Sequence, residues 1–162
     1  MPAVPTSLPR LQPGGAVAGL GQHRQVIDGV GATRTLAPEE SGALCLFDRA
    51  AGNVFTLPAP VPGMQFEFRS TVAVTSNASK VITDAATTFM VGSLMGGSLA
   101  VAEAGDVFQA DGTTIRAVSM AGSTTGGLIG GSFTLTAISS TVWSIEGDFV
   151  GAGTIATPFA TS

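Results

Sequence analysis

The chain has 162 residues, a formal net charge of −4, 11% charged and 44% hydrophobic residues, 22 glycines and a single lysine, Lys80. Charge this sparse, against roughly 25% in an ordinary soluble domain, excludes a coiled coil or helical bundle, and the apolar content excludes a charge-driven disordered chain. An acidic chain also offers no basic stripe for phosphates, so no nucleic acid is expected as a partner.

Residues 1–34 open the chain with prolines at 2, 5, 9 and 13 and glycines at 14, 15, 19, 21, 29 and 31. Pro removes a backbone donor and Gly is costly to order, so this stretch reads as an extended arm without a core of its own. It carries apolar anchors for a contact with a neighbouring subunit: Val4, Leu8, Leu11, Val17, Leu20, Val26 and Ile27. Within it, residues 25–30 have the make-up of a short strand. The start of the chain lacks a basic region and its prolines interrupt any apolar run, so it does not read as a secretory signal.

From residue 35 the pattern is β. Residues 35–42 read as a strand and turn, 43–47 as a short apolar strand, and 54–58 as a strand stopped by Pro58. Residues 65–74 alternate, with Phe66, Phe68, Val72 and Val74 on one face and Gln65, Glu67, Arg69 and Thr71 on the other. That period of two marks a half-buried strand. Strands are expected again at 80–83, 89–94, 98–102 and 106–110, the middle two separated by Met95-Gly-Gly. Asp111-Gly112 is a hairpin-type turn signal. Residues 114–120, 132–138 and 141–147 complete the series, and 151–162 form a C-terminal tail.

About nine or ten short strands without a long helical pattern predict an all-β, compact β-sandwich or barrel-like domain over residues 35–150. Its core is expected around Phe55, Phe66, Phe68, Phe133 and Trp143, with Phe47, Phe89 and Phe108 as further aromatics. Two stretches, 85–102 and 117–145, carry no charge. Their Ser, Thr and Gly content and the lack of basic flanks argue for strands and turns, so no membrane partner is expected.

Chemistry-bearing residues are few. Cys45 sits in an apolar run and reads as a buried small hydrophobe. His23 is the one histidine and lies in a Gly-rich stretch, which leaves no Ser-His-Asp set. No Walker-type loop is present, and the glycines at 126, 127, 130 and 131 precede no helical pattern. The carboxylate pairs Asp106 with Asp111 and Glu146 with Asp148 are the candidates for a glycosidase pair or a cation site, and neither stands in a recognised spacing. No catalytic residue, metal or cofactor is therefore expected. A surface so poor in charge suits a protein that buries its exterior against copies of itself or a larger assembly.

Several segments occur in an order that resembles a group of tailed-phage virion proteins. They are Thr35-Leu-Ala-Pro-Glu-Glu-Ser-Gly, Phe55-Thr-Leu-Pro-Ala-Pro-Val-Pro-Gly, Met64-Gln-Phe-Glu-Phe and Val74-Thr-Ser-Asn-Ala-Ser-Lys-Val-Ile-Thr, closed by Trp143-Ser-Ile-Glu-Gly, Gly151-Ala-Gly and Pro158-Phe159. The resemblance is to the head decoration (capsid cement) type of virion structural protein. It implies a non-enzymatic protein on the outer surface of a bacteriophage capsid, partnered by the major capsid protein and by itself as a homotrimer. The arm has no counterpart in that pattern. The alternative is a tail-fibre or adhesin-type β-module binding a host-surface glycan, for which Trp143 is the aromatic to watch.

Overall fold

The computed structural model describes residues 23–100 and 105–162. Among these residues the fold is all-β, with twelve strands in two sheets and a single 3-10 turn, Pro38–Glu40. Neither sheet closes on itself, so the barrel alternative is set aside.

The first half of the chain shuttles between the two sheets. β1 (Val26–Ile27), β3 (Leu44–Phe47) and β5 (Gln65–Ser70) lie side by side in one sheet, and β2 (Thr33–Thr35), β4 (Val54–Thr56) and β6 (Ser79–Ile82) in the other. All pairs within these two sets are parallel. Each β1–β2, β3–β4 and β5–β6 step is thus one coil stacked on the next. The corners stack as well. The Gly29 N–H donates to the Asp48 carboxylate (2.5 Å), the Asn53 amide donates to the other Asp48 oxygen (2.9 Å), and the Thr75 N–H donates to the Ala50 carbonyl (2.7 Å). Burial alone would raise the pKa of Asp48, but the Gly29 and Asn53 donors, with the Asp48 backbone amide, together outweigh it and hold the carboxyl below its usual value.

The second half completes both sheets with mostly antiparallel strands. β7 (Phe89–Ser98), β8 (Asp106–Asp111), β10 (Ser132–Ala137) and β11 (Val142–Gly151) extend the larger sheet to the order β1-β3-β5-β10-β11-β7-β8. β9 (Ala117–Met120) and β12 (Phe159–Ala160) extend the smaller one to β12-β9-β6-β4-β2. β7 and β11 run parallel over ten residues.

The inner faces of the two sheets share one core. Phe68 of β5 stacks on Phe133 of β10 and on Phe47 of β3, and meets Phe55 of β4 edge-on across the gap between sheets. Phe55, Phe66, Phe68 and Trp143 are fully buried, and Phe133 nearly so. β5 and β10 show why: Phe66 and Phe68, and Phe133 and Leu135, point inward while Glu67 and Thr134 point outward.

Four sequence expectations change. The β-domain does not begin at residue 35, since β1 and the first two residues of β2 lie inside the 1–34 segment and are paired into the two sheets. Residues 151–162 are not a free tail, because Ile155 and Phe159 are buried and β12 pairs with β9. Residues 89–98 form one strand rather than ending before Met95-Gly-Gly. Gly92 has φ +126°, and a Cβ there would lie 2.1 Å from the Ile145 carbonyl oxygen, so the glycine admits a close strand contact. Asp111-Gly112 does not make a hairpin, because β8 and β9 belong to different sheets and the turn carries the chain across.

Candidate functional site

The candidate catalytic groups do not converge. Cys45 is fully buried in the core, where burial, reinforced by the Glu40 charge, pushes its thiol up to about 12. His23 is exposed at the start of the described residues. Glu146 and Asp148 both face solvent from β11, and Asp106 and Asp111 lie at opposite ends of β8. Among the described residues no group of three or more His, Cys, Asp or Glu is gathered where it could hold a metal. No helix among them is long and apolar enough to cross a membrane.

Asp111 has a local job. Its carboxylate accepts from the Thr113 and Thr114 N–H groups (2.8 and 2.7 Å), from the Thr114 hydroxyl (2.5 Å) and from the Ile115 N–H (3.3 Å). The Thr114 hydroxyl and these amides hold the carboxyl far below its usual range. This is the chemistry of a turn that aims the chain from one sheet to the other.

The feature with the scale of a functional surface is the outer face of the larger sheet. Strand register lines up outward residues in rows across it. One row runs Leu44, Glu67, Thr134, Glu146, Ser93 and Gln109; a second runs Leu46, Arg69, Ser132, Asp148, Met95 and Val107. Its charges are concentrated at two places. Near β1, Glu67 is clamped by Arg24 and Arg69, with the Arg24 hydrogen bond doing most to lower its pKa. Near β11, Glu146 and Asp148 form no ion pair among the described residues. The far corner is mostly apolar: Met95, Val107, Phe149 and Val150 line a hollow of about 440 Å³ that Asp106 and Asp148 border, with Met95 and Val107 each 60% exposed. The hollow lies beside the β7–β8 connection, of which residues 101–104 are outside the description.

The expected contact residues divide. Val4, Leu8, Leu11, Val17 and Leu20 lie outside the described residues. Val26 is 49% exposed on β1, as a contact residue needs, but Ile27 is buried in its own core and is not offered to a neighbour. Parity explains the pair, since consecutive strand residues face opposite ways. Trp143 is buried, so the aromatic that a sugar site would have used is not on the surface, and Phe89 and Phe108 are half-buried. Comparison with protein-family models, with curated proteins and with solved structures finds no match.

Proposed function

We propose that the chain is a structural protein of a bacteriophage virion, a head decoration (cement) protein that lies on the outer capsid surface, binds the major capsid protein and stabilises the shell without catalysis. On this reading the two sheets act as a β-sandwich-like slab and the residues ahead of β1 act as an extended contact arm. The observation that carries it is the outer face of the larger sheet, built mainly of Ser, Thr, Gln and aliphatic side chains, with Glu67 already neutralised by two arginines. Such a face packs on another protein at little electrostatic cost provided that the partner offers cations to Glu146 and Asp148, which have no ion-pair partner among the described residues. Seven strands span about 29 Å and a six-residue strand about 20 Å, or roughly 600 Å². That is somewhat less than the ~800 Å² one partner gives to a standard interface, and repetition around an oligomer adds the rest.

The glycan-binding alternative is the weaker reading, because the aromatic it relied on, Trp143, is in the core. Purified protein mixed with undecorated phage heads should co-sediment with them in hundreds of copies and raise the temperature at which they release DNA. Binding in only a few copies at the tail would favour the fibre reading, and no binding to virions would end the proposal.

A further inference from the structure

Among the described residues four strand edges are open, and three are very short: β1 and β12 have two residues each and β2 has three. Short edges give little purchase to an added strand. β8, at the far side of the larger sheet, has six residues, Asp-Val-Phe-Gln-Ala-Asp, with no Pro or Lys among them. The Gly112 N–H donates to the Met90 carbonyl (2.9 Å), and the register pairs Ala110 with Gly92 and Phe108 with Leu94. Antiparallel alternation then turns the backbone groups of Val107, Gln109 and Asp111 to the free side. Among the described residues these groups take no backbone partner. Val107 is 60% exposed beside Met95, so an added strand would cover apolar surface as well as pair with the backbone.

We infer that residues 14–20 of one copy add as a strand to the β8 edge of a second copy. The run Gly14-Gly-Ala-Val-Ala-Gly-Leu20 is free of proline and of charge, whereas prolines at 2, 5, 9 and 13 keep the preceding residues out of a ladder. An uncharged strand meets no repulsion from Asp106 and Asp111. Pairing two β8 edges instead gathers four carboxylates around one short ribbon. The contact cannot be made within one chain. β1 and β8 are opposite edges of a seven-stranded sheet, about 29 Å apart, while the three residue steps from Leu20 to His23 reach about 10 Å. Each copy donates once and accepts once, so the contact is heterologous and closes into a ring when the rotation allows. It concerns self-association in solution and stands whether or not the protein binds capsids.

The test uses the full chain. Analytical ultracentrifugation should show a concentration-dependent oligomer. Ala18→Pro should return it to monomer without altering its circular dichroism or melting temperature. Two single variants, Val17→Cys and Gln109→Cys, mixed and treated with a short bis-maleimide, should yield a covalent heterodimer, since the native Cys45 is buried and silent. A monomeric parent, an oligomer indifferent to Ala18→Pro, or the absence of the mixed cross-link would each overturn the inference. So would a partner from another protein found on β8 with residues 14–20 deleted and self-association unchanged.

Discussion

Replacing Phe68 by Ala tests whether the two sheets share one core. Phe68 is fully buried and its ring lies 5.4 Å from Phe133, 5.8 Å from Phe47 and 5.6 Å from Phe55. Truncating a buried Phe costs about 3–5 kcal/mol, and three lost aromatic pairs place this site near the upper end. For a chain of this size that lowers the melting temperature by about 10–18 °C. Trp143, the only tryptophan and buried 6.0 Å from Phe66, reports unfolding by fluorescence. Because total stability is only about 5–15 kcal/mol, the sharper measurement is a double-mutant cycle with the milder Phe55→Leu and Phe68→Leu. The expected coupling is about 0.5–1.5 kcal/mol, all of it across the gap between β4 and β5. A loss below about 1 kcal/mol for Phe68→Ala, or no coupling in the cycle, would refute the shared core.

Gly92→Ala should cost more than 3 kcal/mol or so, because the new Cβ meets the Ile145 backbone 2.1 Å away at φ +126°; urea midpoints of the variant and parent decide this. Ile27→Ala should destabilise by about 2–4 kcal/mol while Val26→Ala changes stability by less than about 0.5, and equal effects in thermal melts would contradict the assignment of β1. Cys45 should resist a thiol reagent at pH 8 until the protein unfolds, with reaction and loss of Trp143 fluorescence keeping the same rate. Asp111 has a depressed folded pKa, so its contribution is complete above the ordinary carboxylate range and is lost as the pH falls through the lower folded value. Asp111→Asn should therefore flatten the acid limb of the stability curve and speed amide exchange at Thr113 and Thr114, and unchanged exchange would refute the turn.

Strands buried on one face could be read from the chain because side-chain period and burial coincide. β5 and β10 show this in Phe66, Phe68, Phe133 and Leu135. The parallel stacking of β1, β3 and β5 could not, since strand direction is set by where corners such as Asp48–Asn53 carry the chain, and no local pattern records it. Glycine misled at Gly96, which read as part of an interruption. A Cβ at Gly96 would lie 2.5 Å from Ile155 and 2.6 Å from Phe149, so the residue is small because the core comes that close. The same bias placed residues 23–34 in the arm. Gly29 and Gly31 there serve a tight corner at positive φ, and Ile27 supplies an anchor that two strand residues suffice to bury. The outer face was legible only as composition; its rows needed the register.

The first coil is the least supported part of the fold, and it is also where the chain leaves toward the proposed contact arm. β1 and β2 together supply five strand residues, and Ile27 and Leu36, with the partly buried Val30, anchor them in the core. All three ion pairs among the described residues involve arginines, and two of them hold this coil: Arg24 to Glu67 on β5 and Arg34 to Glu40 in the following turn. Arg24 also donates to the Gly42 carbonyl (3.0 Å), so one side chain links the start of the coil to both β5 and the turn before β3. Exposed pairs contribute little to global stability, about 0–1 kcal/mol each, but they resist local opening, which costs far less than unfolding the whole domain. An arm seated on a neighbour loads this coil first. Two of the three ion pairs among the described residues therefore stand where a pull on the N-terminal segment would begin to peel the sheet apart.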